Sequence, residues 1–212
     1  MGVFIVLEGG EGCGKSTQAR LLYRRLLEED YPSQLLYEPG GTPLGEQVRR
    51  LLMAQHGKVA ISPMAELLLF SAARTELVQE VIHPALAEGR VVVCDRYTPS
   101  TIAYQGYGRG MPLETIDQVN RLSVDGMEPD LVVLLDMKPE EGLHRKSEEE
   151  RQRFEEESLE FHRKVRRGYL EQAWAEPARW LRVDGRLPQQ RIAEVIWERV
   201  KLLVREKGIA ET

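Results

Sequence analysis

The octapeptide Gly9-Gly10-Glu11-Gly12-Cys13-Gly14-Lys15-Ser16 follows the apolar run Val3–Leu7 and precedes a helix-periodic segment. No other stretch constrains the fold as tightly. G-x-x-x-x-G-K-[ST] between a strand and a helix is a phosphate-cradling loop. Its glycines let successive N–H groups turn inward around phosphate oxygens. The helix that opens near Lys15 adds the positive end of its dipole. Lys15 is expected to reach the β- and γ-phosphates and to act catalytically, and the Ser16 hydroxyl to ligate Mg²⁺. Gly9 through Ser16, that is Gly9, Gly10, Glu11, Gly12, Cys13, Gly14, Lys15 and Ser16, with Thr17 beside them, are the expected ATP-binding residues. ATP with Mg²⁺ is therefore the expected donor.

The rest of the chain alternates short apolar runs with helical patterns. Val3–Leu7 reads as a buried strand, and a helix over about 15–29 carries Leu21, Leu22 and Leu26 on one face. Gln34–Tyr37 is a shorter strand, and a helix is expected over Leu44–Ala54. Ser62-Pro63 is a helix start, with Ser as cap and Pro in the first turn. That helix is expected to run to about Glu88, with a kink at Pro84. Val91–Cys94 and Leu131–Leu135 are uninterrupted apolar runs, as in central parallel strands covered on both faces. Trp180–Val183 is a weaker strand. In the last helix, about Gln189–Glu206, Ile192, Val195, Ile196, Val200 and Leu203 form one stripe. Strands separated by such helices imply βαβ units with right-handed crossovers. The expected fold is α/β: three layers, a central parallel five-stranded sheet with helices on both faces, in one domain spanning 1–212. On charge alone, Glu148–Glu157 (EEERQRFEEE) reads as a solvated helix face.

A formal net charge of -5 over 212 residues argues against a general binder of nucleic acid or anionic membrane. No apolar run approaches the roughly 20 residues that span a bilayer. The opening apolar run stops at Glu8 with no basic residue before it, so a signal peptide is not expected. The two cysteines, Cys13 and Cys94, make no metal or disulfide pattern, which fits free thiols in a reducing cytoplasm. The four histidines show no ligand spacing.

An N-K-x-D base-reading motif and a D-x-x-G switch are absent, which removes a GTPase switch. An ABC-type ATPase would need a signature motif and a larger domain. The size suits a nucleoside or nucleotide kinase.

Four further segments bear on the acceptor. They are Glu38-Pro39-Gly40-Gly41-Thr42-Pro43-Leu44-Gly45 leading to Arg49; Leu69-Phe70-Ser71-Ala72-Ala73-Arg74; Asp95-Arg96-Tyr97 followed by Ser100-Thr101-Ile102-Ala103-Tyr104-Gln105-Gly106; and Arg153-Phe154-Glu155 with Phe161-His162-Arg163 through Gly168-Tyr169-Leu170. Together with the phosphate loop they resemble the thymidylate kinase family, from Val3 to about Val183. The combination of EPGGTPLG with DRY…S..AYQG is highly specific. The resemblance implies a P-loop kinase fold with a short mobile lid at about 145–155. It implies transfer of the γ-phosphoryl group of ATP to dTMP, giving dTDP and ADP for dTTP biosynthesis. It also implies a cytoplasmic homodimer packed through helices, with no nucleic-acid or membrane partner.

Elementary chemistry supports several of the implied roles. Arg49 and Arg96 suit a bidentate grip on the acceptor monophosphate; a surface arginine and an ion pair with Asp95 are the plainer readings. Asp95 ends an apolar strand beside the loop strand, where a carboxylate holds magnesium or its waters, or else caps a helix. By resemblance, Phe70 stacks on thymine and Arg74 hydrogen-bonds a base carbonyl, and four-residue spacing puts both on one helix face. Thr101 and Gln105 match positions near the base edge. Tyr104 matches a tyrosine that crowds the sugar's 2′ carbon and so excludes a ribose hydroxyl. Glu11 would accept from the 3′-hydroxyl.

The lid departs from the family pattern. Gly12 follows Glu11, so the phosphate loop holds no arginine and the lid must supply the catalytic one, as in bacterial members. Yet Arg145-Lys146-Ser147-Glu148-Glu149-Glu150-Arg151-Gln152-Arg153-Phe154-Glu155 is about one residue short, acidic in its middle, and has Gln152 for the usual aspartate. Arg151 or Arg145 is expected at the transferring phosphoryl group and Arg153 at the adenine or triphosphate. Glu160 aligns with a carboxylate that aids metal or sugar binding in some relatives. Two rival readings stay open: a kinase for another acceptor such as dUMP or UMP, and an ATP-binding module without kinase chemistry.

Overall fold

All six residues of Val3–Glu8 are buried in β1, because this strand is covered by neighbours on both edges and by helices on both faces. The computed structural model describes residues 2–53, 61–145, 154 and 156–209. β1 pairs in parallel with β3 (Val91–Asp95) and with β4 (Leu131–Asp136). β2 (Ser33–Tyr37) extends one edge and β5 (Trp180–Asp184) the other, in the order β2-β3-β1-β4-β5. Every pairing is parallel. The expected five-stranded parallel sheet is thus present.

Successive side chains on β1 point to opposite faces. Val3, Ile5 and Leu7 pack with Leu22 and Leu26 of α1 (Lys15–Glu28) and Ile196 and Val200 of α9 (Gln189–Glu206). Phe4 and Val6 face the other way, onto Leu77, Val78, Ile82 and Leu86. Burying each such aliphatic side chain stabilises by about 1.5–3 kcal/mol, so these two layers carry much of the fold. The remaining helices are α2 (Pro43–Met53), α3 (Pro63–Leu77), α4 (His83–Ala87), α5 (Thr98–Thr101), α6 (Leu113–Val124), α7 (Pro139–Leu143) and α8 (Leu159–Ala175).

The Ser62 cap forms as expected: its Oγ accepts from the Ala65 N–H at 3.3 Å. The helix expected to run to about Glu88 is an unbroken helical stretch, Pro63–Ala87, but it is not α-helical throughout. α3 ends at Leu77, a π-helical turn covers Val78–Ile82, and α4 follows. Pro84 has no N–H and its ring crowds the carbonyl four residues back, and the wider turn absorbs both defects. A second π-helical segment, Ile102–Gly108, continues α5. α8 starts at Leu159, where Ser158 Oγ accepts from the Phe161 N–H at 3.2 Å. Ala54 and the acidic run 148–153 lie outside the described residues. Among the described residues no helix is long and apolar enough to cross a membrane.

The pairing register sets Leu7 beside Asp95 and Glu8 beside Leu134. The carboxyl ends of three strands therefore finish level with one another. Crevices at that edge of a parallel sheet are where such folds bind ligands.

Candidate active site

The phosphate loop leaves β1 at Glu8 and enters α1 through Gly14, whose φ of +96° is open to glycine at little strain. Gly14 brings no side chain to cap α1, so the first helical N–H groups face the loop's interior. Lys15 is a buried lysine. Its Nζ crosses the loop to donate to the Gly10 carbonyl at 2.7 Å. Ser16 Oγ donates to Asp95 Oδ2. The other oxygen, Asp95 Oδ1, is buried with no hydrogen-bond partner among the described residues. A hydroxyl and a carboxylate oxygen in want of a partner make a hard-donor set that fits Mg²⁺.

Arg96 follows β3 in a left-handed conformation, φ +76°, which a non-glycine residue seldom adopts. Its N–H is tied to Leu7 O at 3.0 Å, and this bend turns the guanidinium toward the loop. Nη2 donates to Glu11 Oε1 at 2.5 Å and to Tyr104 Oη at 3.1 Å. Nη1 donates to Ser100 Oγ and to Tyr169 Oη, each at 3.2 Å. Arg96 therefore pairs with Glu11 and not with Asp95. Burial, the largest single influence, opposes its charge, but Glu11, Tyr104, Tyr169 and Glu8 together outweigh it and hold the guanidinium's pKa above its ordinary value. Glu11 also accepts from Tyr104 Oη at 2.6 Å.

Glu8 anchors this arrangement from beneath. It is fully buried and accepts from Tyr97 N at 2.9 Å, Ser100 Oγ at 2.7 Å and Tyr169 Oη at 2.9 Å. Burial pushes its carboxyl above the usual range, against the pull of Arg96. Tyr104 and Tyr169 are likewise pushed up by burial, so both act as neutral hydrogen-bonding phenols.

Arg49 reaches in from α2. It donates to Pro39 O at 3.0 Å and lies 5.3 Å over the Tyr37 ring. Facing it across a cavity of about 630 Å³ are Lys15, Ser16, Asp95 and Arg96. The same cavity is also lined by Phe70, Arg74, Thr101, Tyr104 and Gln105. The expected phosphate, sugar and base residues thus share one enclosure. Phe154 lines it as well, 6.0 Å from Phe70 and 5.6 Å from Tyr104 between ring centres.

Arg74 is almost fully buried at 1% exposure. It donates through Nε to both Glu38 oxygens at 3.1 and 2.9 Å, through Nη1 to Asn120 Oδ1 at 3.0 Å, and through Nη2 to Thr101 Oγ1 at 2.8 Å. Burial raises the Glu38 carboxyl to about 7, although Arg74 pulls it down.

Two residues of the expected set lie elsewhere. Arg145 is exposed, with its nearest partner Gly185 O at 3.4 Å, and it does not line the cavity. Glu160 is exposed and paired with Lys164 at 2.9 Å. Arg151 and Arg153 lie outside the described residues. Glu38, Ser100 and Tyr169 fall in the quoted segments but were given no role of their own, and Glu8 was not among the expected site residues. The one readable signal was a carboxylate ending an apolar strand at Glu8.

The family model described as thymidylate kinase matches residues 7–196. A thymidylate kinase of Dehalococcoides mccartyi is 48% identical over 204 residues, covering 96% of this chain and 98% of that one. One of a Synechococcus strain is 51% identical over 199 residues, covering 94% of each. Among solved structures, thymidylate kinase from Ehrlichia chaffeensis superposes with a TM-score of 0.75 at 35% identity, over 95% of this chain and 98% of that one.

Proposed function

The chain belongs to the thymidylate kinase family, and on that footing we propose how its residues transfer the γ-phosphoryl group of ATP to dTMP. The single observation that carries this reading is the shared cavity, lined both by Glu11, Lys15 and Ser16 of the phosphate loop and by the aromatic rings of Phe70 and Tyr104.

The loop N–H groups and Lys15 hold the donor phosphates. Arg96 and Arg49 grip the acceptor monophosphate from the opposite wall. Phe70 stacks on the base, Arg74 and Thr101 lie at its edge, and the Tyr104 ring fills the space beside the sugar. Glu11, already fixed by Arg96 and Tyr104, accepts from the 3′-hydroxyl. An ionised acceptor phosphate needs no general base, so the protein's work is alignment and charge neutralisation. Ser16 and Asp95 would hold Mg²⁺. When bound, that ion offsets charge on the β- and γ-phosphates. The transferring phosphoryl group takes a further arginine from the lid, Arg151 or Arg145, with Arg153 toward the donor nucleotide. For Arg145 this means leaving its contact with Gly185 O.

The same reading makes the protein a cytoplasmic homodimer of single-domain subunits. Exposed Met64 and Leu68 of α3 and Leu122 of α6 offer an apolar face for helix packing; a monomer in sedimentation would remove that part.

ADP formation measured with dTMP, dUMP, UMP or no acceptor, with and without Mg²⁺, tests the assignment. Strong stimulation by dTMP that needs Mg²⁺ is expected. ATP turnover indifferent to the acceptor would overturn it.

A further inference from the structure

Glu66 is fully buried in α3, a costly place for a carboxylate unless something specific holds it. Gln105 Nε2 donates to Glu66 Oε1 at 2.9 Å. Arg109 grips the same carboxylate, Nε to Oε1 at 3.2 Å and Nη2 to Oε2 at 3.2 Å. Arg109 is itself tied down by Glu157 at 2.6 Å and lies over the Phe161 ring at 4.9 Å.

A carboxylate paired with a guanidinium offers acceptors only. The Gln105 amide can therefore turn only its NH₂ toward Glu66. Its carbonyl must point the other way, and no described residue donates to that oxygen. Gln105 lines the same cavity as Phe70 and Arg74.

We infer that Glu66 is a positioning residue for base choice: it locks Gln105 with its carbonyl presented to the acceptor base. This rests on the functional reading above, in which the base lies against Phe70. A fixed carbonyl accepts the imide N3–H of thymine or uracil. Cytosine presents a lone pair at N3, so the same oxygen repels it. An unlocked amide could flip and serve either ring.

The test compares dTMP with dCMP in the full-length protein carrying Glu66→Gln, whose new amide both donates and accepts. The dTMP-to-dCMP ratio of kcat/KM should fall by about five- to tenfold, the weight of one well-placed hydrogen bond. The change should sit in the KM for dTMP, with kcat within about threefold, since Glu66 is remote from the phosphates. Calorimetric binding of both monophosphates should give the same shift without turnover. An unchanged ratio in a folded variant overturns the inference. If Glu66→Gln does not fold, Gln105→Met decides, since it removes the carbonyl while leaving Glu66 and Arg109 paired. A retained ratio there overturns the inference too. Wild-type protein that ignores dTMP would instead defeat the functional reading, and the ratio of dUMP to dCMP would still test the lock.

Discussion

Gly12 and Gly142 touch backbone to backbone. A Cβ on Gly12 would stand 1.9 Å from the Gly142 carbonyl oxygen, and a Cβ on Gly142 would stand 2.2 Å from the Glu11 carbonyl oxygen. Gly12 also has φ +69°. The loop and α7 thus close on each other with no space for a side chain at position 12, which explains why an arginine cannot sit there in this chain. Gly142→Ala in a helix would ordinarily stabilise by about 0.5–1 kcal/mol. Here it should instead destabilise by about 1–3 kcal/mol through overpacking, and lower kcat by tenfold or more by displacing Glu11. Thermal melting and turnover measure both, and a raised melting temperature would refute the contact.

Lys15→Ala should cut kcat by about 10²–10³, the usual loss when one preorganised charge is removed from a developing anion. Its Nζ already spans the loop to Gly10 O at 2.7 Å, so the ammonium is held against the loop. Stability should change little, since the lost partner is a loop carbonyl. Near-normal turnover in the variant would remove Lys15 from the chemistry.

Tyr104 separates two effects on one side chain. Its hydroxyl bonds Glu11 and Arg96, and its ring packs edge-on against Phe154 and Tyr169. Tyr104→Phe keeps the ring, so it should retain the preference for deoxyribose while losing about 1 kcal/mol, roughly fivefold in kcat/KM, from the slackened Glu11. Tyr104→Ala should narrow the deoxy-to-ribo ratio. Paired kinetics with dTMP and its ribonucleotide counterpart check this, and an unchanged ratio in the alanine variant would assign discrimination elsewhere.

The sheet was legible because its strands are short apolar runs set between helical patterns, a purely local signal. The loop was legible because its glycines, lysine and serine are adjacent. α6 was not, since half its buried positions are polar, Asn120 and Ser123 beside Ile116 and Val124. Nor was the brace under the site: Glu8 meets Tyr169 Oη across 161 residues of sequence. Glu66 meets Gln105 across 39. Such contacts exist only once β1, α3 and the π-helical segment have been brought together, and spacing along the chain carries no trace of them. The position of Arg74 was readable from its helix face, but its clamp by Glu38 and Asn120 was not.

The Glu38–Arg74 pair makes stability depend on pH in the direction opposite to an ordinary exposed salt bridge. Burial raises the Glu38 carboxyl to about 7 despite Arg74, and burial raises Glu8 in the same sense. Between the ordinary value of 4.5 and about 7, the folded chain keeps a proton on Glu38 that the unfolded chain has released. The folded state thus binds more protons, and stability must fall as pH rises through that window. The contribution is full below about 4.5 and gone above about 7, worth up to about 3 kcal/mol. Asp136, held low by Arg166 and Arg182 against its own burial, works the other way, but its effect is lost only as pH drops below the ordinary carboxylate range. Urea midpoints between pH 5 and 8 should therefore decline in the wild type and flatten in Glu38→Gln, which cannot titrate. Equal slopes in the two proteins would place the proton on another group.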